Sequence, residues 1–263
     1  MKKFMRRVIV IFLVLTLLLD FVILALYYLD HRKLSGVAND VQEIPDNDEI
    51  DVGIDDDRMK NLQNLVRGLG DLDSVNKKVY VLSGKNPDCI GWLSIPDTVI
   101  DYPVMYTPDN AQKYIHLSFK ENYSFAGCLF ADTFCTPCGS NRSTNVIIYG
   151  HNMKSGDMFH ALLNYENAEY YANHRYINWT TIEGMAVYEI FAAFRTTSDS
   201  EVYSFIDAQD ELVYNSFIAD CKSKTPYDTC AVDSGTDLLT LSTCAYHITN
   251  GRFVVLAKKI SEN

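Results

Sequence analysis

The segment Asp237-Leu-Leu-Thr-Leu-Ser-Thr-Cys244 alternates in a way that only a strand explains. Leu239, Leu241 and Thr243 fall on one face, and Thr240, Ser242 and Cys244 on the other. Cys244 should therefore emerge at a strand end with Ser242 beside it. Eight positions later Arg252 opens another strand pattern, Arg252-Phe-Val-Val-Leu-Ala257. That gap suits a hairpin and would bring Arg252 near the thiol. Arginine keeps its proton and can serve as a fixed donor to a developing oxyanion. Taken singly, each residue has a plainer reading. A free cysteine is commonly a small buried hydrophobe, and an arginine at an edge strand is commonly a surface charge.

Upstream, Asn145-Val-Ile-Ile-Tyr-Gly-His151 reads as a further strand, with Ile147, Tyr149 and His151 on one face. Gly150 would let another backbone or a ligand approach closely. His151 could act as general acid and base, or be a hydrogen-bonded structural histidine. Of the other histidines, His31 falls by the N-terminal apolar run. His160 and His174 read as surface residues, and spacing excludes neither His116 nor His247. Strands are expected over 90–95, 98–105, 127–132, 176–181, 185–195 and 252–260. Short helices are expected over 157–165 and 169–174, and longer ones over 57–69 and 207–222. Short strands with a few inserted helices suggest a decorated β-barrel.

The chain has 263 residues, about half of them apolar, enough for one sizeable domain with appendages. Its formal net charge of −11 carries no basic face, which argues against nucleic-acid binding. Lys2, Lys3, Arg6 and Arg7 precede an apolar run from Val8 to Leu29, the length of a membrane-spanning helix with a cytoplasmic basic cap. No Ala-x-Ala pattern follows Leu29, so an uncleaved anchor is favoured over a signal peptide. Asp20 opposes this reading, at about 2.5–3.5 kcal/mol for a charge mid-bilayer. The acidic stretch 31–57 reads as a solvated stalk. The expected organisation is a cap and anchor over 1–30, a linker over 31–57 and a catalytic domain over 58–263.

There are seven cysteines, so at least one has no disulfide partner within the chain. Cys135-Thr-Pro-Cys138 lacks a βαβ context and reads as a loop disulfide or two free thiols. No residue pattern calls for a metal or a cofactor, and none is expected.

Tyr149-Gly-His151 followed about ninety positions later by Thr240-Leu-Ser-Thr-Cys244, and then by Arg252, resembles the sortase family. Gly91-Trp-Leu-Ser-Ile95 and Asp101-Tyr-Pro-Val104 are similar to the family's opening strands, and the likeness runs from about Asp57 to the C-terminus. Within the family, the Tyr-Gly-His-Asn-Met form and a helix-bearing insert over 196–222 look most like class B. The resemblance implies an eight-stranded barrel with an N-terminal helix. It also implies that Cys244 attacks the threonine carbonyl of a sorting signal in a surface protein, of LPxTG, NPxTN or SPxTG type. His151 would move the proton and Arg252 would bind the oxyanion. Ser242, Thr243, Tyr149 and Tyr203 would line the substrate site. Ala245 departs from the polar residue common after the cysteine in class B. An amine of the peptidoglycan cross-bridge would be the acceptor, or alternatively a pilin. The domain would be extracellular. A cell-wall cysteine hydrolase, which runs Cys before His, would have to use Cys89 or Cys128. The final Val-Val-Leu-Ala-Lys-Lys-Ile-Ser-Glu-Asn is expected to be a strand and not the tail of a sorted substrate.

Overall fold

A computed structural model of the chain describes residues 15–23 and 74–262. Residues 15–23 are helical with mostly exposed apolar side chains. Among the described residues no helix is long and apolar enough to cross a membrane. Most of the expected anchor, the acidic stretch and the expected helix over 57–69 lie outside the described residues.

The remainder folds as a closed eight-stranded barrel. Helix α1 (Ser74–Lys85) leads into β1 (Cys89–Ser94), β2 (Asp101–Met105), β3 (Leu129–Ala131) and β4 (Asn145–Tyr149). Helix α2 (Ala168–Asn173), β5 (Tyr176–Thr181) and β6 (Gly184–Thr197) follow. Helix α3 (Glu211–Lys224), β7 (Leu238–Cys244) and β8 (Gly251–Glu262) complete the domain. Around the barrel the order is β1-β2-β3-β4-β7-β8-β6-β5, with β5 closing on β1. The β2–β3 and β4–β7 pairs are parallel and the others antiparallel. The central β4–β7–β8 run carries Tyr149 opposite Ser242 and Cys244 opposite Arg252.

Strand β7 is buried on both faces, not one. Thr240 and Ser242 are as enclosed as Leu239 and Leu241. The reason is the insert after β6, which packs Val202, Phe205, Tyr214, Ile218 and Cys221 over Leu238, Val254 and Leu256. Such burial requires that the polar groups be bonded. Asn145 Nδ2 donates to the Phe205 carbonyl at 2.8 Å, and Thr240 Oγ1 donates to Asn145 Oδ1 at 2.9 Å. One fully buried asparagine thus joins β4, β7 and the insert.

Several expected boundaries shift for local reasons. The strand expected over 98–105 begins only at Asp101, because Asp97 at φ 60° and the Thr98 hydroxyl, donating to the Ile95 carbonyl at 2.8 Å, build a turn. The strand expected from 127 begins at Leu129. Gly127 holds φ +57°, where an added Cβ would lie 2.3 Å from the Tyr114 carbonyl oxygen. The short helix expected over 157–165 is a 3-10 segment, His160–Glu166. The insert helix starts at Glu211, where Asp210 caps it by accepting from the Val213 N–H at 2.8 Å. Helix α1 had no counterpart in the sequence reading.

Candidate active site

Cys244 stands at the end of β7, half-buried. Its partner across the antiparallel ladder is Arg252, the second residue of β8. The turn between them depends on Gly251, where an added Cβ would lie 2.1 Å from the Ala245 carbonyl oxygen. Ala245 N–H donates to the Gly251 carbonyl at 3.0 Å. That amide is therefore committed to the hairpin. Arg252 Nη1 donates to the same carbonyl at 3.1 Å, which anchors one edge of the guanidinium and leaves its other donors for a ligand.

His151 follows β4 by two residues and is half-buried. The parallel pairing of Tyr149 with Ser242 brings the end of β4 beside the end of β7. Two bonds close this seam. Gly150 N–H donates to the Ser242 carbonyl at 3.1 Å, and Thr243 Oγ1 donates to the Gly150 carbonyl at 2.7 Å. Gly150 is small for packing. An added Cβ would lie 2.5 Å from Leu129 Cδ2 and 2.7 Å from Phe159 Cδ2.

The His151 ring is held from the loop between β2 and β3. Its Nε2 lies 2.9 Å from the Ile115 carbonyl oxygen. A carbonyl only accepts, so Nε2 carries the hydrogen, and Nδ1 is left to exchange a proton. His116 stacks on the same ring at 5.5 Å between centroids and 16° between planes.

The expected substrate-lining residues divide. Tyr203 and Ser242 meet through their hydroxyls at 2.8 Å. Burial pushes the Tyr203 hydroxyl up. The bond to Ser242 and the charge of Arg252 pull it back, and Cys244 pushes it up. Tyr203 therefore shares the electrostatic environment of both residues. Tyr149 stacks on Tyr203 at 6.1 Å and donates its hydroxyl to Asp132 at 2.6 Å. Thr243 is the exception. Strand alternation turns it away from Ser242 and Cys244, and its hydroxyl is spent on Gly150, so it ties the seam and does not line the site.

His160 also departs from expectation. It is half-buried, not a surface residue, and its Nδ1 is 2.7 Å from Asn152 Oδ1. Asn152 in turn donates to the Cys244 carbonyl at 2.8 Å. The sequence assigns neither residue this role: Asn152 enters only as part of the Tyr-Gly-His-Asn-Met form, and its bond to Cys244 spans 92 positions and leaves no local spacing to read.

All seven cysteines are free thiols. Burial pushes Cys89, Cys128, Cys135, Cys138 and Cys221 up to about 12, and Cys230 up to about 11. The thiolate is the nucleophile, so these six are poor candidates at neutral pH. Cys89 and Cys128, on which a hydrolase with Cys before His would depend, are both buried, which disfavours that alternative. Of the two readings of Cys135-Thr-Pro-Cys138, the structure has two free thiols.

Comparison with known proteins decides the family: the model of the Sortase domain matches residues 93–260. The chain belongs to the sortase family. Sortase B of Listeria monocytogenes is 32% identical over 195 residues, covering 72% of this chain and 76% of that protein. A solved Staphylococcus aureus sortase B–substrate complex superposes with a TM-score of 0.66 at 27% identity, covering 77% of this chain and 92% of the other. A solved sortase B complexed with triglycine gives a TM-score of 0.65 at 27% identity, covering 77% and 93%. The chain is thus a class B sortase, a cysteine transpeptidase acting on surface proteins. The eight-stranded barrel is the one expected from the resemblance.

Proposed function

We propose that this sortase cleaves a C-terminal sorting signal after threonine and transfers the new carboxyl to an amine of the peptidoglycan cross-bridge. The observation that carries the reading is the meeting of three strand ends. The β7–β8 register sets Cys244 opposite Arg252, and the β4–β7 register brings His151 to the same rim. The similarity to a substrate-bound and a triglycine-bound sortase B supports both halves of the reaction.

In the first half, the Cys244 thiolate adds to the threonine carbonyl and the oxygen gains charge. Arg252 donates to that oxyanion. The tetrahedral adduct collapses, the C–N bond breaks, and the leaving nitrogen takes the proton from Nδ1 of the His151 imidazolium. A thioester remains on Cys244. In the second half, an amine attacks the thioester and gives its proton to His151 Nδ1. The C–S bond breaks and the thiolate returns. Tyr203 and Tyr149 present the substrate side of the rim, and the buried Ser242 supports them through the Tyr203 hydroxyl. We place the catalytic domain outside the cell, tethered by the N-terminal apolar run as a single-pass anchor.

The full chain, solubilised in detergent, is incubated with quenched LPxTG-, NPxTN- and SPxTG-type peptides, with and without triglycine. At least one peptide is cleaved, and triglycine converts the free-acid product to a conjugate. Cys244→Ala and His151→Ala abolish both. Cleavage that survives Cys244→Ala would sink the reading. Conjugation to a pilin lysine peptide in preference to triglycine would move the acceptor to pilins.

A further inference from the structure

Strand β4 ends at Tyr149, but its hydrogen bonding to β7 does not end there. Gly150 N–H donates to the Ser242 carbonyl at 3.1 Å. In a parallel ladder the donors recur every second residue. The next rung would run from position 152 to the Cys244 carbonyl, and the Asn152 side chain supplies it, Nδ2 donating at 2.8 Å. The other end of the amide is fixed as well. Asn152 Oδ1 accepts from His160 Nδ1–H at 2.7 Å. With both ends engaged, the amide has one orientation. The reverse would set two acceptors, Oδ1 and the Cys244 carbonyl, against each other.

The segment that carries these residues closes on itself. Asn152 bridges Met158, and Phe159 N–H donates to the His151 carbonyl at 2.9 Å. Met158 and Gly156 hold positive φ of 56° and 95°, which makes the return possible. His160 then opens the 3-10 segment that follows. A short closed loop therefore has the candidate base at its start and the residue that orients Asn152 just beyond its end. One peptide unit joins His151 to the residue bonded to Cys244.

We infer that Asn152, oriented by His160, is a positioning residue that holds the Cys244 main chain against the loop bearing His151 and so sets the thiol–imidazole geometry. This rests on the reading of Cys244 and His151 given above. Asn152 touches no reacting atom. It acts through the strand end, where about 1 Å of misplacement costs on the order of a hundredfold in rate.

The test uses the full chain in detergent and the peptide of the panel that the wild type cleaves fastest, with triglycine. Asn152→Asp keeps the size and the acceptor for His160 but loses the donor to Cys244. Asn152→Leu loses both without adding charge. Both should lower kcat about a hundredfold while KM stays within about threefold and the thermal midpoint within a few degrees. His160→Asn keeps a donor near the place of Nδ1 and should retain most of kcat, whereas His160→Leu should lose about tenfold. A kcat within about threefold of wild type in Asn152→Leu overturns the inference. Equal kcat in the two His160 variants overturns the part given to His160. If Asn152 variants do not fold, the His160 pair decides. Cys244→Ala run alongside separates the failures. Residual turnover there indicts the catalytic assignment, while a dead Cys244→Ala beside a normal Asn152→Leu indicts only the positioning role.

Discussion

Cys244 and Arg252 face each other across adjacent strands, and the β7–β8 register alone sets their relation. His151 stands two residues past the end of β4, and what holds it is a set of individual bonds. Its ring is fixed by the Ile115 carbonyl and lies against His116. Its main chain is tied to β7 through Gly150, Thr243 and Asn152. The nucleophile side is thus built from main-chain pairing, which most side-chain changes leave alone. The base side is built from side-chain and loop contacts, each of which can be removed singly. Substitutions on the first side should change chemistry without changing geometry. Those on the second should change geometry while leaving the reacting groups in place.

The largest effect should come from Arg252→Lys, which tests the first half of that contrast. The ladder position survives, but lysine has no planar fork. The ammonium is a rotatable point donor on a flexible stem, so it does not hold a fixed donor toward the oxyanion as the anchored guanidinium does. Losing one oxyanion donor costs about 10²–10³ in kcat, and the thermal midpoint should hardly move. A large fall in that midpoint would show that Arg252 supports the hairpin, so that the Cys244 side also depends on a side chain for its geometry.

How much of this was legible in sequence follows the same division. The boundaries of β5 and β7 were read as they stand, because alternation over six or seven residues is a local signal. Cys244, His151 and Arg252 stand out in the sequence because the family's order of motifs is intact. The base side was largely silent. Asn152 reaches Cys244 across 92 positions, His160 meets Asn152 through a loop closure that no periodicity reports, and His116 joins the site only through the fold of the β2–β3 connection. Helix α1 was missed for another reason. Val79-Tyr-Val81 inside Ser74–Lys85 resembles strand composition. It is helical because Val79 and Leu82 bury one turn apart, while Lys78 covers the Trp92 ring at 3.3 Å. Tertiary packing there overrides propensity.

Thr243→Val should give an intermediate effect, on stability more than on turnover. The shape is kept, but the Gly150 carbonyl loses its donor in a buried seam. An unsatisfied buried acceptor costs about 1–3 kcal/mol. For a domain of this size each kcal/mol lowers the thermal midpoint by about 2–4 °C. The fall should be visible in thermal unfolding. Any loss of kcat beyond about threefold would mean that the seam also sets the His151 position, which would sharpen the division between the two sides.

The smallest effect should come from His116→Ala. His116 is exposed, and on its other side its ring meets the exposed Tyr123 at 6.0 Å. Stacked ring pairs are worth about 0.5–1.5 kcal/mol, with solvent-exposed ones at the low end. The bond from His151 Nε2 to the Ile115 carbonyl remains in the variant and keeps the tautomer that leaves Nδ1 basic. The ring gains some freedom and loses no hydrogen bond. We expect kcat to fall about two- to threefold, with KM and the thermal midpoint unchanged, measured with the same peptide and triglycine. A fall of about tenfold or more would mean that the stack, and not the carbonyl, is the main restraint on His151. The base would then be held chiefly by a surface side chain, the weakest support on either side of the site.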